Sequence, residues 1–441
     1  MEKYIPEGYK QTGIGEIPED WVYKKISELT NIFGRIGFRG YTKRDIVEVG
    51  KGAISISPSN ILDTRINYEK CTFISWYKYE ESPEIQIVNN DVILVKTGST
   101  FGKAALIHNL PNKATINPQL VVFKDIRIPN IYLSYLINSK IVQNQIQKNV
   151  VGGAIPTLSQ AMVKNFVVPI PHSRREQESI ARALSDVDNL ITSLEQLIEK
   201  KKAIKQGTMQ ELLTGRRRLK GFGEGKGFKQ TELGMIPEDW KVSKLANIST
   251  LHGRIGWQGL KQSEFTDNPH DPFLITGMNF KDSRIVWEDV YHFSIERYRE
   301  APHIQLHTND VLLTKDGTIG KTLYIESIPY PGIASLNSHL LVFRPIGDSY
   351  TPKYLFYLFN SKYFYDHVEQ QKSGTTFFGL SQEAASKFIL PLPSNEEQSA
   401  IANVLTDMDS EIVILETKAE KYMQIKQGMM QNLLTGRVRL V

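Results

Sequence analysis

The sequence predicts an α+β protein built as a tandem repeat: two mixed α/β blocks, each followed by a long helix, with the helices packed as an antiparallel coiled coil of pseudo-twofold symmetry. Three observations lead there. Most of the chain is stated twice in register, each copy alternates strand-like and short helical runs, and each copy closes on a long apolar stripe of helical spacing.

The repeat is explicit at both ends. Gly-Glu-Ile-Pro-Glu-Asp-Trp at 15–21 returns as Gly-Met-Ile-Pro-Glu-Asp-Trp at 234–240, and Leu-Leu-Thr-Gly-Arg-Arg-Arg-Leu at 212–219 returns as Leu-Leu-Thr-Gly-Arg-Val-Arg-Leu at 433–440. Trp21 and Trp240 are offset by 219 positions and Ile180 and Ile401 by 221, so only about two residues of net insertion separate the copies. Such a repeat means two domains, and a pseudo-symmetric ligand, duplex DNA first among them, suits it.

Each block opens on the Ile-Pro-Glu-Asp-Trp turn and an amphipathic stretch at 22–30 and 241–250. Strands are expected at 92–95, 120–123, 311–314 and 340–343, where β-branched and aromatic residues concentrate. A short helix with paired aromatics follows at 132–136 and 354–358, and Val-Val-Pro-Ile-Pro (167–171) and Ile-Leu-Pro-Leu-Pro (389–393) end the blocks, their prolines excluding helix or central strand.

Ser173 to Glu176 and Ser394 to Glu397 then form capping boxes that start the long helices. Ile180, Leu184, Val187, Ile191, Leu194 and Ile198 recur at spacings of four and three, as do Ile401, Leu405, Met408, Ile412 and Leu415, which is a coiled-coil seam. Gly215 and Gly436 stop the helices. At 1.5 Å per residue each is about 60 Å long, too long to bury its stripe alone, so the two should pack together as a ruler between the blocks. The expected segments are therefore 1–172 and 229–393 for the blocks, 173–215 and 394–436 for the helices, 216–228 for a glycine-rich linker and 437–441 for a tail.

Composition excludes several classes. At 441 residues, 41% hydrophobic and 23% charged, the chain fits two or three ordinary globular domains. No apolar run approaches eighteen residues and the opening Met-Glu-Lys-Tyr-Ile-Pro-Glu is no signal peptide, so a cytoplasmic location without membrane contact is expected. Cys71 is the only cysteine, which excludes an intramolecular disulfide and a cysteine-rich zinc site. The net charge of +5 is compatible with nucleic acid without demanding it.

No catalytic or metal-binding set emerges. The glycine loops at 95–103 and 314–322 lack Walker A spacing, leaving either a plain turn between strands or one presenting Lys96, Lys103, Lys315 and Lys321 to phosphates. Asn117-Pro118-Gln119-Leu120 approaches the tetrad with which amino-methyltransferases hold their target nitrogen, but its second copy, Asn337-Ser338-His339-Leu340, loses the proline, and no strand and turn for S-adenosylmethionine accompanies it. None of the nine histidines has a metal-ligand spacing that repeats.

Gly-Arg-Ile-Gly-Phe-Arg-Gly (34–40) and Gly-Arg-Ile-Gly-Trp-Gln-Gly (253–259) bring backbone close to something, and Arg35, Arg39, Arg254 and Gln258 are either DNA contacts or parts of a tight hairpin. Beyond them the copies diverge at 41–80 and 260–300 while keeping their length, as two readers of different sequences would. Lys43, Arg44 and Arg65 lie in the first such stretch; Lys261, Lys281 and Arg284 lie in the second.

With these residues in view, the chain resembles the specificity subunit of a type I restriction–modification system over nearly its whole length. The resemblance rests on the Lys-x-Thr-x-x-Gly-x-Ile-Pro-x-x-Trp openings, the Gly-Arg-Ile-Gly turns, Leu-Ser-Gln at 158–160 and 380–382, the Glu-Gln…Ile-Ala…Leu…Asp-x-Asp helices (176–188 and 397–409) and the terminal Leu-Leu-Thr-Gly, all twice and in order. It implies that each block is a target recognition domain reading one half of a split, asymmetric double-stranded DNA site, and that the helices are spacers. It implies too that the chain has no catalytic residues and binds no cofactor or metal. Two modification subunits, adenine methyltransferases using S-adenosylmethionine, would dock on the helices, and restriction subunits would complete an ATP- and magnesium-dependent nuclease. The alternatives are a self-contained DNA methyltransferase or nuclease with unrecognised motifs, the specificity subunit of a related type II system, or a structural adaptor that binds no DNA.

Overall fold

The computed structural model describes residues 5–13, 15–62, 64–149, 157–254, 260–281, 284–371 and 379–440. The chain forms two compact units that do not follow its linear order: one comprises 1–195 with 417–441, the other 196–416. Each unit thus holds one block, the first turns of the helix that follows it, and the last turns of the other long helix.

In the first unit Val92–Val95 is the heart of a four-stranded antiparallel sheet, between Ala104–Leu106 and Leu120–Lys124, with Asn31–Gly34 at its edge. Val-Ile-Leu-Val is apolar throughout because both faces are covered. Val92 and Leu94 enter a core shared with the helices, while Ile93 and Val95 enter a second core against another sheet. That second sheet has five strands, Gln86–Ile87, Ala114–Ile116, Ala53–Ile56, Thr72–Ile74 and Ile46–Val47, with one parallel contact between Ala114–Ile116 and Ala53–Ile56. The divergent stretch 41–80 therefore supplies three of the five strands of this sheet. The second unit repeats the plan: Val311–Thr314 lies between Thr322–Tyr324 and Leu340–Pro345, and Phe273–Ile275 runs parallel to Ala334–Leu336.

The stretch after the Trp turn is not one amphipathic element. Val22–Lys25 and Lys241–Lys244 are strands pairing with the proline-bearing Val167–Ile170 and Ile389–Leu392, and one helical turn follows each. A two-stranded ribbon tolerates proline, whose missing N–H leaves no gap in a central ladder. The paired aromatics lie on Asn130–Asn138 and Pro352–Phe359, as expected.

The long helices span Arg174–Leu213 and Asn395–Leu433. Ser173 and Ser394 accept from the amides of Glu176 and Glu397 as caps, but the glutamate side chains do not reach back. They are buried and taken by arginines that follow the other helix. In the first unit Arg439 donates to Glu176 and, as a fork, to both Asp20 oxygens, with its guanidinium 5.7 Å from the Trp21 ring. In the second Arg218 does the same to Glu397, Asp239 and the Trp240 ring. The glycines before these arginines are required twice over: Gly215 and Gly436 have φ of 67° and 73°, and a Cβ on either would stand 2.4 Å from Pro237 or Pro18.

Within each unit the two helical segments run antiparallel. Lys426 meets Asp188 at 2.6 Å while Arg439 meets Glu176; Lys205 meets Asp409 at 2.5 Å while Arg218 meets Glu397, so one number falls as the other rises. The stripe divides in its role. Ile180, Leu184, Ile401 and Leu405 sit in the block cores, joined there by Leu433 and Leu434 or by Met209, Leu212 and Leu213 of the other helix. Ile191, Leu194 and Ile412 are also buried, whereas Val187, Met408 and Leu415 are half-buried.

Candidate functional site

Strand register gathers several motifs at one end of each four-stranded sheet. Gly34 pairs with Val121, and Val95 with Leu120, so the glycine turn after one strand and the lysine loop after the other leave the sheet at the same end. The Leu-Ser-Gln helix start docks there too, Leu158 N donating to Lys96 O at 2.7 Å. Gln160 stands so close to Gly34 that a Cβ would meet its amide nitrogen at 2.9 Å. The second unit matches it: Gly253 opposes Leu341, Thr314 opposes Leu340, Leu380 N donates to Lys315 O, and Gln382 donates to Leu251 O.

An asparagine turn closes this end. Asn117 is 8% exposed, its N–H donates to Ile56 O, and its Oδ1 accepts from Gln119 N at 2.9 Å. Lys96 N in turn donates to Gln119 O at 2.8 Å. Asn337, His339 and Lys315 repeat every one of these bonds in the second unit. The backbone is held by the shared residues, and the exposed side chain that follows differs: Gln119 in one unit, His339 in the other.

Lys96 and Lys315 stand at this end, Lys96 half-buried with its ammonium pushed down by burial. Lys103 lies at the far end of its loop and borders a cleft with Asn138, Asp188 and Lys426. Lys321 is exposed at the corresponding end of the second loop.

Arg35 and Arg254 are not surface contacts, which corrects the expectation for both. Each is 4% exposed. Arg35 donates to Ile116 O and Thr115 Oγ1 and lies 5.5 Å from the Tyr41 ring; Arg254 donates to Leu336 O and Ser335 Oγ and lies 5.7 Å from Phe293. Burial pulls the Arg254 guanidinium down to about 10. Each arginine ties the end of its sheet's edge strand, at Gly34 or Gly253, to Ala114–Ile116 or Ala334–Leu336 of the other sheet, and it is burial that keeps these guanidiniums from a phosphate.

Arg39 is half-buried 3.7 Å from Glu84. Lys43 and Arg44 are exposed on the turn Lys43–Asp45, whose last carbonyl accepts from Ser75. That is the Ile74 end of strand Ala53–Ile56, about 10 Å from the Asn117 end by strand rise. Lys261 is exposed just before the equivalent turn Gln262–Glu264. Gln258 lies outside the described residues. Arg65 is drawn away from any reading role, since it donates to Glu195 and to Asp188 O of the long helix. Gln119 and His339 were not singled out from the sequence, where the tetrad set aside as a methyltransferase motif keeps its outer Asn and Leu between the copies and changes its inner pair.

Among the described residues, no helix is long and apolar enough to cross a membrane, and no group of three or more His, Cys, Asp or Glu is arranged to hold a metal.

A family model described as "Type I restriction modification DNA specificity domain" matches residues 18–206 and again 237–426. The type I restriction enzyme MjaVIII specificity subunit of Methanocaldococcus jannaschii is 28% identical over 446 residues, covering 100% of this chain and 98% of that protein. The putative type I restriction enzyme MjaX specificity subunit of the same organism is 26% identical, covering 100% and 99%. Among solved structures, the type I restriction–modification S subunit from M. genitalium shares 16% identity and a TM-score of 0.56, over 94% of this chain and 96% of that one. A chain solved in work on complex assembly and conformational transition of the type I R-M system shares 17% and 0.55, over 96% and 99%. At these identities the two structures share the fold.

Proposed function

Because the chain belongs to the type I restriction–modification DNA specificity family, as two family matches spanning most of its length establish, we propose that each block reads one half of a split, asymmetric duplex site. The task of the chain is DNA sequence recognition, and it is the non-catalytic member of its enzyme. The observation that carries the two-reader proposal is the sheet end described above: one set of turn-closing bonds, made twice, presenting Gln119 in one block and His339 in the other. In this reading the shared residues hold the turn and the differing side chain meets a base edge, the kind of contact by which sequence is read.

In this reading Lys96 and Lys315 neutralise phosphates beside the read bases, and Lys43, Arg44, Lys261, Lys103, Lys321 and Arg39 extend the basic track. The long helices fix the gap between half-sites and dock two modification subunits, which bring S-adenosylmethionine to adenine. Restriction subunits add ATP- and magnesium-dependent cleavage, and the assembly works in the cytoplasm.

The experiment is to incubate the purified chain with duplex DNA and labelled S-adenosylmethionine, alone and with its modification subunits. Transfer is expected only with those subunits present, at one split motif. Transfer by the chain alone would overturn the reading.

A further inference from the structure

We infer that positions 119 and 339 are base-reading positions, Gln119 contacting one base pair of the first half-site and the His339–Asp316 pair one base pair of the second. This rests on the two-reader function proposed above. The support is local. In each unit the turn is closed by backbone groups and by the Oδ1 of Asn117 or Asn337, and Leu120 or Leu340 is buried beneath it. The side chain of Gln119 bonds the Asn117 amide and that of His339 bonds Asp316; neither touches the backbone groups that close the turn, and both are exposed. The fold therefore leaves their identity open while it fixes their position.

Each side chain is nonetheless oriented by a neighbour. Gln119 Oε1 accepts from Asn117 Nδ2 at 3.2 Å, which fixes the amide plane and leaves the Nε2 hydrogens and one oxygen lone pair. A planar amide with a donor beside an acceptor matches the N7 and N6 edge of adenine in the major groove. His339 Nδ1 bonds Asp316 Oδ1 at 2.5 Å. A carboxylate only accepts, so Nδ1 carries the proton and Nε2 remains for a ligand, accepting when the ring is neutral and donating when it is charged. Thr97 occupies the place of Asp316 in the first block, so the supporting residue changes together with the residue it supports. The lysine bonded to each turn through its backbone, Lys96 or Lys315, places a cation at the same sheet end, where a DNA backbone flanking the read base would need one.

The test maps methylated bases in cells that express the full chain with its modification subunits, comparing wild type with Gln119→Ala, Gln119→His and His339→Gln. Gln119→Ala should relax a single base pair in one half-site, with discrimination there falling about tenfold or more and the other half unchanged. Gln119→His should change the base preferred at that same pair, and His339→Gln should alter one pair in the opposite half only. An unchanged motif in all three variants overturns the inference. So does a uniform loss of methylation at every site with an unchanged denaturation midpoint, which would make these residues phosphate or subunit contacts. A wild-type chain that directs methylation to no split motif would instead refute the two-reader function itself, so the two failures are distinguishable.

Discussion

Arg439 and Arg218 show how much a single side chain organises here. Each joins a buried glutamate, an exposed aspartate and a tryptophan face, and so ties three recurring motifs, Arg-x-Arg, Glu-Gln and Pro-Glu-Asp-Trp, into one lock. The arginines hold the carboxyls of Asp20 and Asp239 below their usual value of 3.8. A carboxylate depressed in the folded state stabilises above its unfolded pKa, and that contribution is lost as pH falls through the folded value. Asp20→Asn and Asp239→Asn should therefore each lower stability at neutral pH, by under about 1 kcal/mol because both carboxylates are partly solvated. The difference from wild type should close once the pH is well below 3.8, as followed by denaturant midpoints across pH. A difference that persists there would assign the effect to packing. The sequence shows these arginines only as part of the recurring run after Leu-Leu-Thr-Gly, because most of their carboxylate partners lie far along the chain, Glu397 179 positions from Arg218, and Glu176 and Asp20 263 and 419 positions from Arg439. Arg35 misled for the opposite reason: a glycine-flanked arginine reads as a surface contact until its burial is known.

At the level of elements, each pair of helical segments is clasped by a Tyr–Asp–Lys group. Tyr135 donates to Asp188 at 2.6 Å and Lys426 meets the same carboxylate; Tyr357 and Lys205 do so at Asp409. Burial, with the aspartate added, holds both tyrosine hydroxyls well above their ordinary pKa, so they remain donors at any working pH. The side chains of Asp188 and Lys426 are 18% and 16% exposed, sheltered enough for the pair to matter more than a surface bridge. A double-mutant cycle of Asp188→Asn and Lys426→Met should show coupling of about 1 kcal/mol or more in denaturant unfolding; additive effects would make the contact incidental. The stripe and the caps of these helices were legible because they are local and periodic. That Ile180 and Leu184 serve a block core, with Leu433 from the other helix, was not, since periodicity states which face is apolar and never what covers it. The five-stranded sheet over the divergent stretch was missed because its strands, Ile46–Val47 and Gln86–Ile87 only two residues long, leave no period to read.

For the whole molecule, duplication predicted two blocks, and the structure adds that each compact unit is assembled from distant parts of the chain. The motifs that recur in both copies serve that assembly: the Trp turn, the Glu-Gln helix start and the terminal Leu-Leu-Thr-Gly meet within a unit. The divergent stretch 41–80 supplies three strands of the second sheet, and the turns at 117–119 and 337–339 also differ between the copies. Family membership and geometry together leave the division of labour as the central claim, one block for each half-site. Its most direct measurement replaces residues 41–80 with the matching segment of a relative of different specificity, then sequences methylated sites in cells that also express the modification subunits. One half of the motif should change to that of the donor while the other half stays as it was; a change in both halves, or in neither, would contradict the account.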